Sequence, residues 1–299
     1  QVHGSVQLAV QIVKARGTEV AMIKHNRMDM LEDMIKANPN KYNKIWYMAD
    51  GLYSMHGDYA PLKDIQYLME KYGNFHFYVD DAHGMSWKGK HGNGYVLSEM
   101  KMHPKMVLTT SLAKGFGSGG GLVVLPDAEM RRKVLTCGSS YTVSGPVQPP
   151  MLGASIASAK IHLTDEIYAL QDKLKNKIKL VETTIKEFDL PVVLASDSPI
   201  FYLGLGLPRV GYNMVKRLLQ EGFFTNIGIF PGVPVRCSGL RLPITNGQTD
   251  EDIKNVLSAF KYHFPKVLEE EGTTVEDISI KFDLPFEATI KRYRIQSKT

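Results

Sequence analysis

Short apolar runs alternate with amphipathic stretches along the first part of the chain. Runs of four or five mainly apolar residues predict strands at 20–23, 45–48, 75–79, 106–110 and 122–125. Apolar residues at helical spacing predict helices at 28–37 and 62–72. Strands separated by helices indicate an α/β fold, with a mostly parallel sheet that helices cover on both faces.

The pattern changes in the second part of the chain. It is helical over 148–188, and shorter strands and helices then alternate: strands at 192–194, 200–205, 224–229 and 240–244, and helices at 212–221 and 250–260. This alternation predicts a small α+β domain. We therefore predict a large α/β domain at 1–188, a small α+β domain at 189–264 and a helical tail at 265–299.

The tail itself allows two interpretations. Residues 274–293 have the pattern of a helix, a turn and a second helix, and the end of the chain is basic. A DNA-binding helix-turn-helix is one interpretation. A solvated terminal appendage is favoured, because short matches to this pattern are common.

Composition limits the classes of function. The chain has 299 residues, 43% of them hydrophobic and 22% charged, which is ordinary for a globular protein with a sizeable core. The net charge of +5 is spread along the chain, so nucleic-acid binding is not expected. No apolar stretch is long enough to cross a bilayer, and we expect a cytoplasmic protein whose Cys137 and Cys237 are reduced and bind no metal. The first residues have the pattern of the middle of a domain, so we expect a preceding N-terminal segment.

The side chains that could bind a ligand or take part in catalysis follow two predicted strands. Residues 78–84, Tyr-Val-Asp-Asp-Ala-His-Gly, place two carboxylates and a histidine where an apolar strand ends. Residues 109–117, Thr-Thr-Ser-Leu-Ala-Lys-Gly-Phe-Gly, place Lys114 in a glycine-rich loop. Alone, each stretch is typical of a turn or of a solvated lysine. Together they predict a ligand site, because ligands collect at the carboxyl ends of parallel strands and such loops bind phosphate.

The combination of an Asp-x-Ala-His strand end and a Ser/Thr-x-x-Lys-Gly loop resembles the α-oxoamine synthase family. These are pyridoxal 5'-phosphate (PLP) enzymes with the aspartate-aminotransferase fold, fold type I. The resemblance implies that Lys114 forms the Schiff base with PLP and that Asp80 contacts the pyridine nitrogen. It further implies that His83 hydrogen-bonds the phenolic oxygen of the cofactor and that Ser111 binds its phosphate.

Four further positions receive roles from the same resemblance. His3, in the segment His-Gly-Ser, would stack on the PLP ring, and Ser54 would lie at the edge of the cofactor. Ser144, with Thr142 in reserve, would reach the phosphate of a neighbouring subunit, and its alternative is a helix N-cap. Arg241 would bind the carboxylate of the amino-acid substrate, and its alternative is a surface ion pair. Pro243, two residues further on, favours the edge of a sheet.

The activity that the resemblance implies is the condensation of an amino acid with an acyl-coenzyme A, usually with loss of carbon dioxide, to an α-amino ketone. It also implies a homodimer with its sites at the interface. Two alternatives stay open: another enzyme of the same fold, such as an aminotransferase or a lyase, and a non-catalytic subunit or scaffold. A PLP-fold domain with a nucleic-acid-binding tail is a third.

Overall fold

The computed structural model describes residues 2–282, which divide into two compact units. Unit 1 holds the described residues up to Ser54 together with Tyr59–Gln171, and unit 2 holds Met55–Asp58 and the described residues from Asp172 onward. The division falls within a helix, Glu166–Phe188, and not at the predicted position near 188. Gln171 donates to two backbone carbonyls of unit 1, whereas Lys177, two turns later, donates to the Gln248 carbonyl and to Asp250 in unit 2. This helix therefore contributes to both units.

Unit 1 contains a four-stranded sheet. Its strands are β1 (Ile45–Asp50), β2 (Phe75–Asp80), β3 (Met106–Ser111) and β4 (Gly121–Val124), in the order β1-β2-β3-β4. The first three strands are parallel and β4 is antiparallel to β3, so the predicted mostly parallel sheet is confirmed. The strand predicted at 20–23 is wrong: this stretch has no regular structure, and the side chain of Met22 is 82% exposed. An apolar run becomes a strand only where a partner strand can accept its hydrogen bonds.

Helices precede, separate and follow these strands along the chain, and the last of them extends into unit 2. They are α1 (Gly4–Ala15), α2 (Met28–Ala37), α3 (Leu62–Lys71), α4 (Gly94–Glu99), α5 (Ala128–Cys137), α6 (Ser139–Thr142), α7 (Pro149–His162) and α8 (Glu166–Phe188). A short 3₁₀ turn lies at Lys90–Gly92. The apolar faces of α2 and α3 pack against β1, β2 and β3 in a core whose centre includes Ile65, Met69, Phe75, Phe77 and Met106. This buried layer fixes the strand ends on which the candidate site is built.

Unit 2 contains a three-stranded antiparallel sheet, as expected for an α+β domain. Its elements are β5 (Ile200–Gly206), α9 (Pro208–Gln220), β6 (Asn226–Gly228), β7 (Ser238–Pro243), α10 (Asp250–Glu270) and α11 (Val275–Phe282), and the strand order is β5-β7-β6. The strand predicted at 192–194 is reduced to a single bridge between Val192 and Leu203. Pro243 is tolerated in the central strand because it pairs only with Ile200 of β5, beyond the last residue that β6 reaches.

The predicted start of the tail at 265 does not coincide with an end of an element. Helix α10 begins with a capping box between Thr249 and Asp252 and continues through Pro265 to Glu270. The first helix of the predicted helix-turn-helix corresponds to α11, and its second helix lies outside the described residues. None of the helices in the described part of the chain is long and apolar enough to span a membrane.

Candidate active site

The carboxyl ends of three parallel strands place predicted site residues of unit 1 at one edge of the sheet. Asp50, the last residue of β1, is in register with Asp80, the last residue of β2, and Asp80 is in register with Thr109 of β3. Ser111 ends β3 two residues further on. Since the strands run in the same direction, Asp50, Asp80 and Ser111 lie at the same edge of the sheet, as predicted for a ligand site of this fold class.

Lys114 and His83 meet at this edge. The Nζ atom of Lys114 lies 2.9 Å from Nε2 of His83. The loop that carries Lys114 connects β3 to β4, and backbone hydrogen bonds close it, from Leu112 N to Gly120 O at 3.0 Å and from Ser118 N to Leu112 O at 2.7 Å. Lys114 is exposed, so its amine is accessible to a ligand, while the loop holds the backbone of Lys114 in place. The two residues that the sequence places 31 positions apart are thus brought into direct contact.

Two carboxylates lie side by side at the ends of β1 and β2. Asp80 is half-buried, and its Oδ1 accepts a hydrogen bond from the backbone N–H of Ala82 at 3.0 Å. Asp50 is buried and accepts from the backbone N–H of His3 at 3.0 Å. Burial raises the pKa of Asp50 to about 6, and the negative charge of Asp80 acts in the same direction. Sequence reasoning did not single out Asp50, although its place at the end of the strand next to Asp80 is a signal that could have identified it.

Asp81 is buried under the site. Its Oδ2 accepts from the backbone N–H of Val96 at 3.0 Å, and its Oδ1 has no hydrogen-bond partner among the described residues. Three glycines enclose it: a Cβ atom on Gly51, Gly84 or Gly94 would lie 2.5, 2.2 or 2.3 Å from a carboxylate oxygen. Burial raises the pKa of Asp81 to about 7. Asp81 therefore connects α4 to the segment that carries His83 from a buried position.

The raised pKa of Asp81 predicts a specific dependence of stability on pH. Between the ordinary carboxyl pKa, about 4, and about 7, the folded protein keeps a proton on Asp81 that the unfolded chain has lost. The free energy of unfolding should therefore fall as the pH rises through this window. Asp81→Asn, which resembles the protonated form, should remove that part of the slope in denaturant unfolding followed at several pH values. Equal slopes for the two proteins would contradict the assignment.

Ser111 ends β3, Ser54 follows the end of β1, and the backbone of His3 reaches the end of β1 through its hydrogen bond to Asp50. The roles of these three residues toward PLP stay predictions. The Ser111 hydroxyl accepts from the backbone N–H of Ala113 at 3.2 Å, so it already orders the start of the lysine loop. His3 is the N-cap of α1, where its Nδ1 accepts from the backbone N–H of Ser5. Ser54 is half-buried in the turn after β1.

Ser144 and Arg241 are placed differently. Ser144 is exposed in the bend before α7, whose N-cap is Gln148, so the N-cap alternative is wrong for Ser144. Thr142, the reserve, donates to the Gly138 carbonyl at 3.1 Å within α6. Arg241 belongs to unit 2, in the middle of β7 between Tyr202 of β5 and Asn226 of β6. It is half-buried, and burial lowers the pKa of its guanidinium.

Comparison with known proteins supports the family resemblance that these motifs indicate. The family model for class I and II aminotransferases matches residues 8–260. The chain is 31% identical over 260 residues to an 8-amino-7-oxononanoate synthase of Alkaliphilus oremlandii, which covers 87% of this chain and 64% of that protein. It is 27% identical to a serine palmitoyltransferase of Bacteriovorax stolpii, over 79% of this chain and 55% of that protein. The chain thus spans a little under two thirds of the length of such relatives.

Solved structures support the fold. A serine palmitoyltransferase variant from S. paucimobilis with bound PLP–myriocin aldimine matches 81% of this chain and 60% of its own, with a TM-score of 0.71 and 23% sequence identity. At this identity the match concerns the fold alone. The resemblance to α-oxoamine synthases that the motifs predicted, and the fold class that it implies, are confirmed.

Proposed function

Because the chain belongs to the family of class I and II aminotransferases, we propose that it is a PLP-dependent acyltransferase of the α-oxoamine synthase type. It would condense an amino acid with an acyl-coenzyme A, usually with loss of carbon dioxide, to an α-amino ketone. The observation that carries the proposal is the 2.9 Å contact between Lys114 Nζ and His83 Nε2 at the strand ends that also hold Asp80. The similarity to 8-amino-7-oxononanoate synthases and to a serine palmitoyltransferase favours this branch of the family over aminotransferases and lyases.

The residues present fit PLP in three respects. An exposed amine, that of Lys114, stands where a covalent bond to an aldehyde can form. A partly exposed carboxylate, Asp80, lies at the end of the adjacent strand and is available to a pyridine nitrogen. The Ser111 hydroxyl and the glycine-rich loop after it offer donors to a phosphate. When bound, PLP supplies the electron sink that stabilises a carbanion next to the amino group of the substrate.

Each of these side chains then has a definite task. The amine of Lys114 would hold the cofactor and would also accept the α-proton of the substrate. The negative charge of Asp80 would keep the pyridine nitrogen protonated, and the imidazole of His83, which contacts the Lys114 amine, would hydrogen-bond the phenolic oxygen. Arg241 would bind the substrate carboxylate. Its place on a central strand supports this role, since a strand holds the guanidinium more firmly than a loop.

The proposal is tested by trapping the cofactor. The purified chain is incubated with PLP, reduced with borohydride, digested and analysed by mass spectrometry. The expected result is a visible absorbance band that reduction abolishes, and a pyridoxyl group on the peptide that contains Lys114. Product analysis with a panel of amino acids and acyl-coenzyme A then distinguishes an acyltransferase from an aminotransferase or a lyase. A chain that retains no PLP at Lys114 would overturn the proposal and favour the non-catalytic scaffold.

Asp80→Asn should reduce turnover by at least about 100-fold, or about 3 kcal/mol. The amide oxygen can still accept from Ala82 N, so the fold is retained, but the negative charge that keeps the pyridine nitrogen protonated is lost. Asp127→Asn is a matched control, because Asp127 also accepts a backbone N–H, from Met130 at the start of α5. Asp127 follows β4, which runs antiparallel to β3 and so leads away from the edge that holds Ser111. Steady-state kinetics provide the measurement, and a loss below threefold in Asp80→Asn would refute the role.

A homodimer is also proposed, with the expected contribution of Ser144 to the phosphate site of its partner. Exposed apolar side chains on two helices of unit 1 support an association: Leu8 and Ile12 of α1 are 75% and 63% exposed, and Leu152 and Ile156 of α7 are 54% and 53% exposed. Sedimentation velocity measures the association state, and a monomer at all concentrations would contradict the dimer.

A further inference from the structure

Helix α7 directs a row of polar side chains at the candidate site. Ser155, Ser158 and His162 are spaced by three and four residues, so they lie on one face of the helix. His162 is the last residue of α7 and is buried, with 8% of its surface exposed. The buried ring of His162 needs hydrogen-bond partners, because buried polar groups are costly unless they are hydrogen-bonded.

The first partners of this row lie in the loop that carries Lys114. The hydroxyls of Ser155 and Ser118 are 2.8 Å apart, and Ser118 also donates to the carbonyl of Met151, one turn earlier in α7. The Ser158 hydroxyl donates to the Phe116 carbonyl at 2.6 Å, and the ring of Phe116 lies 4.8 Å from that of His162. The loop is therefore bound to α7 at two points on the C-terminal side of Lys114.

The last residue of the row binds the chain that follows His83. His162 Nδ1 donates to the Ser158 carbonyl at 2.8 Å, and Nε2 forms a hydrogen bond of 2.9 Å with the Ser86 hydroxyl. Ser86 has a left-handed backbone with φ of +77°, which is strained for a residue with a side chain. Gln171 donates to the Ser86 carbonyl, and Ser86 N donates to the Gly92 carbonyl, so three segments hold Ser86 in this conformation.

The two chain segments meet next to Lys114. A Cβ atom on Gly115 would lie 2.9 Å from the Met85 carbonyl oxygen and 3.4 Å from Cβ of Ser86. The lysine loop is thus packed directly against the turn that His162 holds. A displacement of Ser86 would reach both His83, three residues before it, and Gly115, which follows Lys114.

We propose that His162 is a positioning residue, which acts through Ser86 and Ser158 to fix Lys114 against His83 and thereby to set how tightly Lys114 binds the cofactor. The inference rests on the proposed function for the identity of that cofactor. The contacts within unit 1 that carry it are independent of the substrate. It assigns a role to a residue of α7, and no residue of that helix belongs to the motifs that carry the family resemblance.

The test compares PLP binding in three variants. His162→Phe keeps an aromatic ring beside Phe116 but removes both nitrogens, Ser86→Ala removes the partner hydroxyl, and His162→Gln restores a polar group that can reach Ser86. The dissociation constant for PLP should rise about tenfold in the first two. In a fourth protein that combines both changes it should rise by no more than in His162→Phe alone, because that change already breaks the bond between His162 and Ser86. His162→Gln should return to within about threefold of the original protein. The visible absorbance band of bound PLP changes with pH, and the midpoint of that change should shift in His162→Phe and in Ser86→Ala.

A control and a cofactor-free measurement separate this inference from the proposed function. His76→Phe alters a half-buried histidine at the start of β2, which bonds the Asn74 carbonyl at 3.0 Å and contacts the ring of Trp46 at the start of β1, and should leave PLP binding unchanged. Acylation of cofactor-free protein, followed by mass spectrometry, gives the labelling rate of Lys114 relative to Lys133, and this ratio should change at least about threefold in His162→Phe and Ser86→Ala. If PLP does not bind at Lys114 but the ratio changes, the proposed function fails and the positioning role of His162 stands. If PLP binding and the ratio both stay as in the original protein while thermal stability falls, His162 is only structural and the inference is overturned.

Discussion

Replacing Lys114 by alanine should abolish turnover, by roughly 10⁴-fold or more, and should eliminate the borohydride-sensitive absorbance band. The argument rests on the two tasks proposed for one amine. Lys114 would hold the cofactor covalently and would also move the α-proton, and its exposed Nζ, in contact with His83, is the amine that the structure places at the strand ends. Removal of an amine that serves both purposes should therefore remove both the covalent bond and the proton transfer.

Two further variants distinguish the covalent role of the Lys114 amine from the effect of its positive charge and from the general effect of losing a lysine. Lys114→Arg keeps the positive charge but cannot form the covalent bond, so it should be as inactive as the alanine variant. Lys133→Ala removes an exposed lysine of α5 that pairs with Glu129 at 2.7 Å, and it should keep nearly full activity. Turnover and absorbance are measured in parallel, and an active Lys114→Ala protein would exclude Lys114 as the cofactor lysine.

Gly94→Ala should lower the free energy of unfolding by about 3 kcal/mol or more. Gly94 has φ of +94°, a conformation that alanine adopts at a cost, and its new Cβ would lie 2.3 Å from Oδ2 of the buried Asp81. The carboxylate cannot retreat, because Gly51 and Gly84 enclose its other oxygen. The substitution should therefore displace Asp81 and with it the segment that carries His83.

Gly17 provides a matched control for this prediction. Its φ is +91°, nearly the same as that of Gly94, and among the described residues none but its two chain neighbours can come within 4 Å of the position its Cβ would take. Gly17→Ala should thus cost only the backbone strain, about 1 kcal/mol. Denaturant unfolding of the two variants measures the difference, and similar losses in both would show that packing against Asp81 is unimportant.

Hydrophobic periodicity located most of the elements because it reports burial directly. The helix at 28–37 has the predicted bounds, and three of the predicted strands differ from β1, β2 and β3 by one or two residues at their ends. Helix α1 was not predicted, since its apolar residues do not form one clear face and Leu8 and Ile12 are exposed. The direction of β4 could have been inferred: only residues 112–120 separate it from β3, too few for the crossover that a parallel strand needs.

The residues of the candidate site that stand in short sequence motifs were predicted. The contacts that join distant parts of the chain were missed. Asp80, His83 and Lys114 stand in compact motifs at strand ends, and parallel strands bring such ends together. The bond between Ser86 and His162 joins residues 76 positions apart and has no motif on either side. The burial of Asp50 depends on the backbone of His3, a contact across 47 positions that the side-chain pattern does not encode.

Unit 2 is not encoded by one continuous stretch of sequence. Met55–Asp58 lies between two parts of unit 1, yet the Gly57 carbonyl accepts from the Ser196 hydroxyl and the ring of His56 contacts that of Tyr202. A recombination event that exchanged only the residues after Gln171 would therefore combine a foreign β5 with the original Met55–Asp58. The four-residue segment and the unit it packs into must then change together in evolution, so a modular exchange of this unit requires two coordinated replacements in the gene.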